Sequence, residues 1–326
     1  MRLTLTCWNY DRVAGLIDGR VSLPGVDLKC EIQYPTQIFE QAFTEAPYDI
    51  AELSASSYVM QVAQGNCPYI ALPAFVSRAF RHGGIYIRSD RKICTPKSLE
   101  GRYVGVPEYQ MTMALWVRGL LSDEYGVNTD KLLYRTGGTN VSGRNERLPL
   151  ELPQHIDVEK IKSGDSLNDL ILKGEIDAII SPSPPLAFTN RNPLVARLFN
   201  QPKLAEQDYF SRTRIFPIMH LIGIRREIAD ANPGLAGIIY EGFCSAREIA
   251  MNELFETATA SANRVQLPWI ANEWEETRHL MGEDFWPYGI TKNRAALDAL
   301  CRYSVEQHLA PHKVAIEELF SPETLK

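Results

Sequence analysis

Two arginines and a histidine occur within five residues of one another in this chain. The segment SRAFRHGG contains Arg78, Arg81 and His82, followed by Gly83 and Gly84. Guanidinium groups bind planar carboxylates through paired hydrogen bonds, an imidazole exchanges protons near neutral pH, and glycines let a ligand approach the backbone closely. The segment therefore suits a bound carboxylate. The alternative is a basic turn that faces solvent.

A second candidate anion site is the segment GVPEYQMT, residues 105–112, where a predicted strand ends and a helix begins. Free backbone N–H groups at the start of a helix bind anions, and Tyr109, Gln110 and Thr112 add polar side chains there. Glu108 is a candidate acid, base or helix cap. The alternative is an ordinary capped helix without a ligand.

A third candidate is His220, which lies in the apolar strand FPIMHLIGI. An imidazole in such a strand is either desolvated or paired, and burial lowers its affinity for a proton. A core histidine with a hydrogen-bond partner is the alternative. Its position on a predicted return strand, opposite His82 on the outgoing one, favours a functional role.

Polar residues also follow the predicted strands of the first part of the chain. Arg12 follows the first strand, and Ser54 and Ser56 lie in the run SASS after the third. His308 and His312 are four residues apart, but a proline separates them and no carboxylate accompanies them, so we expect no metal site. The sequence contains no Walker loop, G-x-S-x-G or G-x-G-x-x-G motif.

The elements that must position these residues form two predicted α/β units, because short strands alternate with helical segments in both halves of the chain. One passage into the second unit at 85–88 and one return at 215–221 predict two lobes. Lobe I comprises residues 1–90 and 217–326 with the C-terminal helices, and lobe II comprises residues 91–216. A ligand cleft is expected between the lobes, since pockets favour domain interfaces.

One segment fits neither unit. Residues 139–158, TNVSGRNERLPLELPQHIDV, are polar and irregular, so we expect a surface excursion. In contrast to the flanking strands, this segment shows no apolar periodicity.

Composition narrows the class of protein. The chain has 326 residues, a formal net charge of −6 and 45% hydrophobic residues. This composition excludes disorder, and the length predicts about two domains. The acidic balance argues against a nucleic-acid partner, because phosphate binding needs a basic surface.

Cysteine usage and the N-terminus predict the compartment. Six cysteines are scattered without a C-x-x-C pair, so neither a zinc site nor a disulfide framework is indicated. The start MRLTLTCWNYDR lacks the pattern of a secretory signal, and no apolar run approaches about 20 residues. We expect a soluble, cytoplasmic protein with no membrane partner, and the sequence is compatible with a homo-oligomer.

Five separated parts of the chain agree in order and spacing with one known family: SRAFRHGGIYIRSD, SLEGRYVGVPEYQMTMALWVRGLL, GEIDAIISPSPP, TRIFPIMHLIGIRRE, and LPW with MGEDFWPYG. Together they resemble the 4,5-dihydroxyphthalate decarboxylase family. The resemblance runs from the first predicted strand to the last predicted helix. It implies a type 2 periplasmic-binding-protein-like fold, with two α/β lobes, two crossing strands and a ligand cleft, in agreement with the organisation above.

The resemblance also implies a carboxy-lyase. Its substrate would be 4,5-dihydroxyphthalate or a closely related hydroxylated aromatic acid, and its product 3,4-dihydroxybenzoate (protocatechuate), without a cofactor or a metal. Each carboxylate-bearing ring carbon is para to a hydroxyl, whose electron release makes that carbon basic enough to accept a proton before CO2 leaves. Such a site needs a general acid over the ring and cations that orient the carboxylates.

These roles can be assigned to residues. We expect His82 to protonate the ring carbon and His220 to contact the catechol, with an exchange of the two roles left open. The predicted catalytic residues are His82, His220 and Glu108. The predicted substrate-binding residues are Arg12, Ser54, Ser56, Arg78, Arg81, Tyr109, Gln110 and Thr112.

The chief alternative is a solute-binding protein that captures a small aromatic or carboxylate anion without catalysis. Lobes and cleft would be the same, because function depends on the site and not on the fold. The absence of an export signal pattern and the presence of histidines on both crossing strands favour the enzyme. A ligand sensor is a third candidate, but no DNA-binding or output element is apparent.

Overall fold

The computed structural model describes residues 1–325, and Lys326, the last residue of predicted lobe I, lies outside the described residues. Residues 1–325 form eleven β-strands and eleven α-helices with short 3₁₀ turns between them. The strands are β1 Arg2–Cys7, β2 Asp27–Ile32, β3 Ile50–Ser54, β4 Tyr69–Arg78, β5 Ile85–Arg88, β6 Tyr103–Val106, β7 Leu133–Thr136, β8 Val158–Lys160, β9 Ala178–Ile180, β10 Val195–Arg197 and β11 Ile218–Arg225. The helices are α1 Asp11–Ile17, α2 Pro35–Ala42, α3 Ala55–Ala63, α4 Thr112–Tyr125, α5 Leu167–Lys173, α6 Leu186–Thr189, α7 Pro202–Thr213, α8 Arg226–Ala231, α9 Leu235–Thr259, α10 Ile270–Met281 and α11 Arg294–Glu306.

The first sheet has the strand order β2-β1-β3-β11-β4. Strands β1, β2 and β3 run parallel, and β11 pairs antiparallel with both β3 and β4. Strand β3 is buried along its whole length and β4 along nearly all of it. Such continuous apolar strands are typical of a sheet covered on both faces by helices.

The second sheet has the strand order β10-β5-β9-β6-β7-β8. Strands β9, β6, β7 and β8 are parallel, and β5 pairs antiparallel with β9 and β10. Helix α4 leaves the carboxyl end of β6 and ends at Gly126, whose left-handed conformation is usual for a helix C-terminus. The sequence prediction of a mixed α/β fold with two units is confirmed.

The chain passes between the two sheets twice, at residues 79–84 and 214–217. The first passage lies just before the crossing that the sequence suggested at 85–88, and the second overlaps the start of the return suggested at 215–221. Strand β5 falls inside predicted residues 1–90, but it pairs with strands of the second sheet. Its hydrogen-bonding partners, β9 and β10, are more than ninety residues away in sequence.

Helices of the C-terminal part of the chain pack against the first sheet and its helices. The long helix α9 packs against α1 and α10, and α11 packs against α3 and α4. The contact between α11 and α4 joins the C-terminal part to the second sheet's principal helix. No helix within residues 1–325 is both long enough and apolar enough to cross a membrane.

Candidate active site

His220 forms a buried pair with a glutamate that the sequence analysis did not select. The imidazole Nδ1 lies 2.6 Å from Oε1 of Glu52. The same carboxylate accepts hydrogen bonds from the Tyr10 hydroxyl at 2.7 Å and the Trp8 N–H at 2.9 Å. Glu52 is fully buried, whereas the His220 side chain keeps 19% of its surface exposed. This contact fixes the ring while leaving its other edge accessible.

Sheet register explains why these two side chains meet. His220 on β11 lies opposite Ser54 on β3, and Glu52 lies opposite Ile222. Glu52 and His220 are therefore diagonal neighbours on the same face of an antiparallel pair, within reach of long side chains. The ladder between β11 and β4 is irregular on both sides of His220, and such irregularities are common beside active sites.

The pair has a defined protonation pattern. Burial by itself raises the pKa of the Glu52 carboxyl, but the hydrogen bond and positive charge of His220, with the bonds from Trp8 and Tyr10, outweigh burial and lower that pKa below its usual value. Glu52 is then an acceptor only, so His220 donates through Nδ1–H. The remaining nitrogen, Nε2, has no hydrogen-bond partner within residues 1–325 and is the atom that can carry a proton to a ligand.

His220 lines a cavity of about 270 Å³, which we call the inter-sheet cavity. Its walls come from the ends of β1 and β3, from β11, from the start of α4 and from α2, and hence from both sheets. They are formed by Trp8, Tyr10, Tyr34, Pro35, Thr36, Phe39, Ser54, Arg81, Met111, Thr112, Met113, Arg144, Arg147, Pro182, Met219 and His220. The lining is largely aromatic and apolar, with three arginines and no carboxylate.

Arg81, in the connection that follows β4 of the first sheet, contributes one cation to the inter-sheet cavity. Within residues 1–325 its guanidinium makes one hydrogen bond, from Nε to the Met219 sulfur at 3.2 Å. Burial lowers the pKa of Arg81 to about 10, which still leaves it charged at neutral pH. The guanidinium therefore has donors available for an anion in the cavity.

Arg144 and Arg147 bring two more cations to the opposite wall. Glu108, which is buried, accepts hydrogen bonds from Arg144 Nε at 2.8 Å and from Arg147 Nη2 at 3.2 Å. Arg147 also donates to the Ser57 hydroxyl at 3.0 Å. Glu108 thus holds the two arginines in place and does not itself line the cavity.

Both arginines belong to the irregular segment 139–158, most of which is exposed or partly exposed, as predicted for a surface excursion. Part of the segment nevertheless folds onto the start of α4, where Glu146 accepts the backbone N–H of Tyr109 at 2.5 Å and the Gln110 side chain at 3.1 Å. Burial raises the pKa of the Glu146 carboxyl. The anion predicted at this helix start is a carboxylate of the chain itself.

The structure brings four of the predicted site residues together: Ser54, Arg81, Thr112 and His220. The Ser54 and Thr112 hydroxyl oxygens lie 2.9 Å apart, so they join β3 to α4 at the cavity wall. Ser56 lies behind them and its backbone N–H donates to Thr112 at 3.1 Å. Ser54 occupies the N-cap position of α3, but its hydroxyl makes no capping hydrogen bond and is engaged by Thr112 and Ser57.

His82 is placed elsewhere. It is 1% exposed, it packs edge-on against Phe199 and Tyr209, and neither of its ring nitrogens has a partner within the described chain. Burial, and to a lesser extent the charge of Arg212, lowers the pKa of His82 to about 4. A neutral ring that lies outside the cavity walls is not positioned to protonate a ligand there.

Two of the arginines that were predicted to bind a substrate carboxylate also lie outside the inter-sheet cavity. Arg12 is stacked between the rings of Tyr10 and Trp286 at 4.3 and 4.2 Å and donates to the Val76 carbonyl. Arg78 is buried and donates to the Asn293 side chain on another side of β4. Arg12 lies in the first turn of α1 and Arg78 is the last residue of β4, and the sequence alone does not show which face of a helix or strand a given side chain occupies.

Sequence reasoning missed Glu52, Arg144 and Arg147. A signal existed for Glu52, since an ionisable residue inside a strand as apolar as YDIAEL needs a partner. No comparable signal existed for the arginines, whose segment has no regular structure. Asp130, His155 and His308 hold potential metal-ligating atoms within 4.8 Å of one another, but none of the three lines the cavity.

Two α/β sheets joined by two connections, with a cavity between them, define a type 2 periplasmic-binding-protein-like protein. The sulfonate-binding protein SsuA of Methylobacillus flagellatus KT matches with a TM-score of 0.57 and 9% identity, covering 100% of this chain and 92% of that one. The aliphatic sulphonate binding protein SsuA of Escherichia coli matches with a TM-score of 0.54 and 12% identity over 98% and 97%. These similarities show the fold alone.

The chain belongs to the 4,5-dihydroxyphthalate decarboxylase family. The 4,5-dihydroxyphthalate decarboxylase of Comamonas testosteroni is 39% identical over 326 residues, which is 100% of this chain and 98% of the relative. The enzyme of the same name from Pseudomonas putida is 42% identical over 210 residues, covering 64% of this chain and 81% of the relative. No family model matches the chain. The resemblance seen in the sequence is confirmed.

Proposed function

We propose that this protein decarboxylates 4,5-dihydroxyphthalate, or a closely related hydroxylated aromatic acid, to 3,4-dihydroxybenzoate. Family membership supports the reaction. The observation that carries the assignment to a site is the His220–Glu52 pair in a cavity whose lining has three arginines and no carboxylate. An excess of cations suits a dianionic substrate, and an oriented imidazole suits proton transfer.

The arginines would hold the carboxylate that is retained. Arg81 has free donors on one side of the cavity, and Arg144 and Arg147 lie on the other, fixed by Glu108. A strong bond to the departing carboxylate would stabilise the ground state and slow its loss. The productive arrangement therefore binds the retained carboxylate to guanidinium groups and leaves the departing one against the apolar and aromatic part of the cavity lining.

His220 would supply the proton. As an imidazolium it donates from Nε2 to the ring carbon that bears the departing carboxylate. The ring electrons that form this C–H bond are released by the para hydroxyl. The C–C bond to the carboxylate then breaks, CO2 leaves, and the bonding electrons restore the aromatic ring. The dianion and one proton thus give the monoanionic product and CO2, and His220 recovers its proton from solvent.

Hydroxyl groups on the cavity wall would orient the catechol. Ser54 and Thr112 present adjacent oxygens, and each can donate or accept a hydrogen bond. Edge contact between Phe39 and the imidazole, with ring centroids 4.7 Å apart, limits rotation of His220. Glu52 is a positioning residue in this scheme, because it acts through the imidazole and does not touch the substrate.

The lobe division also remains a proposal. Residues 1–90 with 217–326, and residues 91–216, were predicted as separate units. Sheet membership supports this division with the first boundary moved to residues 79–84, so that β5 joins the second unit. Closure of the two units around a ligand would bring Arg144 and Arg147 towards His220.

The test is direct. Purified protein, treated with chelator to remove metals, is incubated with 4,5-dihydroxyphthalate, and 3,4-dihydroxybenzoate is followed by chromatography. Phthalate is the matched control ligand, because it has both carboxylates but no hydroxyl to release electrons. We expect product from the first compound, and binding without product from the second, measured by thermal shift.

Other outcomes decide against the proposal. Binding of 4,5-dihydroxyphthalate without product would favour capture of a solute over catalysis. Product formation that survives replacement of His220 by Asn would show that the proton comes from another group.

A further inference from the structure

A second cavity, of about 280 Å³, lies beside both connections between the sheets. We call it the Arg78 cavity; its polar and aromatic walls include Arg78, Arg214, Lys292, Phe210, Phe216 and Phe285. It shares no lining residue with the inter-sheet cavity. Neither the reaction scheme nor family membership gives it a role.

Arg78 is a buried cation without a carboxylate partner. It is 6% exposed, its Nη2 donates to Asn293, its Nε has no partner, and it forms no ion pair within residues 1–325. Its guanidinium lies 5.3 Å from the ring centroids of Phe75 and Phe216. Burial lowers the pKa of Arg78, and the negative charge of Asp284 offsets this effect only in part.

The rest of the cavity is also cationic. Arg214 makes a long hydrogen bond to the Leu280 carbonyl at 3.4 Å and has no acidic partner among the described residues. Asp284 is the carboxylate in the lining, and it is already shared by Lys292 at 2.7 Å and Arg247 at 2.6 Å. Two guanidinium groups therefore remain without a counter-ion.

The walls define the kind of anion. Phe210, Phe216 and Phe285 offer aromatic surface, and Arg78 and Arg214 offer guanidinium groups. A carboxylate suits a guanidinium, and a ring attached to it would pack against the phenylalanines. An inorganic anion would leave the aromatic walls without contacts.

We infer that the Arg78 cavity is a second ligand site, which binds a small aromatic monocarboxylate through Arg78 and Arg214. Phe216 and Arg214 belong to the return connection at residues 214–217, and Phe80 of the outgoing connection stacks on Phe216 at 4.7 Å. A ligand in this cavity therefore contacts the return connection directly and the outgoing connection only through the stacking of Phe80 on Phe216.

The experiment separates this site from the inter-sheet cavity. Benzoate is titrated calorimetrically into the full-length Arg81→Gln protein, in which the inter-sheet cavity has lost a cation. Acetate, which has no ring, and benzyl alcohol, which has no charge, are the control ligands. We expect benzoate to bind more tightly than either.

Arg78→Gln, added to Arg81→Gln, keeps a donor for Asn293 but removes the charge. The benzoate Kd should rise at least about tenfold, because a bond to a charged donor is lost. Arg214→Gln in the same background should raise it several-fold, and Arg212→Gln, a neighbouring exposed arginine on α7, should leave it unchanged. Circular dichroism establishes that each variant is folded.

Unchanged benzoate affinity in a folded Arg78→Gln protein would overturn the inference. If that variant does not fold, an unchanged affinity of Arg214→Gln for benzoate would overturn the inference instead. Absence of benzoate binding to Arg81→Gln would also overturn it. None of these results bears on decarboxylation, whose test uses the wild-type protein and product formation.

Discussion

His82 and His220 lie near the two connections between the sheets, and both looked equally suited to chemistry in the sequence. In the structure they differ in every respect that matters to proton transfer. His220 lines a cavity and donates to a buried carboxylate, whereas His82 lies among aromatic rings with both nitrogens unpartnered. An imidazole becomes a proton carrier where a second group fixes its tautomer and a ligand can reach its free nitrogen.

The largest effect expected from this comparison is that of His220→Asn. Loss of the proton donor should lower kcat by about 10²–10⁴-fold, the usual contribution of general acid catalysis. The measurement is the initial rate of protocatechuate formation by protein shown to be folded by circular dichroism. Wild-type turnover in this variant would remove the distinction between the two histidines.

Glu52→Gln tests whether the carboxylate acts through the imidazole. We expect kcat to fall by about 10–100-fold, as happens when the partner behind a metal-bound histidine is removed. Because Glu52 does not touch the substrate in this scheme, KM should stay close to the wild-type value. A rise in KM without a fall in kcat would contradict its role as a positioning residue.

Arg147→Gln tests the cations of segment 139–158. KM should rise by about tenfold to hundredfold, with a smaller change in kcat, because a bond to one substrate carboxylate is lost. Lys162→Gln is the matched control, since it removes one positive charge at an exposed position outside the cavity. Equal KM values for the two variants would contradict the assigned role of Arg147.

His82→Phe should have the smallest effect on activity and a distinct effect on stability. The pKa of His82 is about 4 in the folded protein against 6.5 in a model peptide, so the unfolded chain binds more protons between these values. The free energy of unfolding of the wild type should therefore decrease as pH falls from 6.5 to 4, by about 3 kcal/mol from this group.

The Phe variant should lack that contribution while turnover stays unchanged. At pH 7 it should be at least as stable as the wild type, because two unsatisfied nitrogens are replaced by apolar ring atoms. Urea denaturation at pH 7.0, 5.5 and 4.5 measures the difference. Parallel pH dependence in the two proteins would mean that His82 does not titrate as its burial implies.

Much of the fold was predictable because it depends on local pattern. Alternating strands and helices, turn glycines and the apolar strand that contains His220 are properties of short segments. The first passage between the sheets was predicted at 85–88, next to its actual position at 79–84, for the same reason. The pairing of β5 with β9 was not predictable, because the residue pattern of a short segment does not show which distant strand it will pair with.

The site was predictable only in part. Ser54 and Thr112 were selected from their positions at strand and helix ends, where open α/β folds bind ligands. Arg81 was selected from the cationic segment SRAFRHGG, and His220 as an imidazole in an apolar strand. Tyr109 and Gln110 were selected by the same argument, but Glu146 occupies their N–H groups. A helix start attracts anions whether they come from a ligand or from the chain, and sequence does not distinguish the two.

The sequence by itself determined the α/β class, the family and the residue types available for acid–base chemistry and carboxylate binding. Tertiary structure alone decided which of them meet: the register of β3 and β11 set Glu52 beside His220, and the folding of segment 139–158 onto α4 set Arg144 and Arg147 at the cavity. The physical reason is the distance along the chain over which the stabilising contacts act. Secondary structure follows from neighbours a few residues apart, whereas a site depends on contacts between segments as distant as the 168 positions that separate Glu52 from His220.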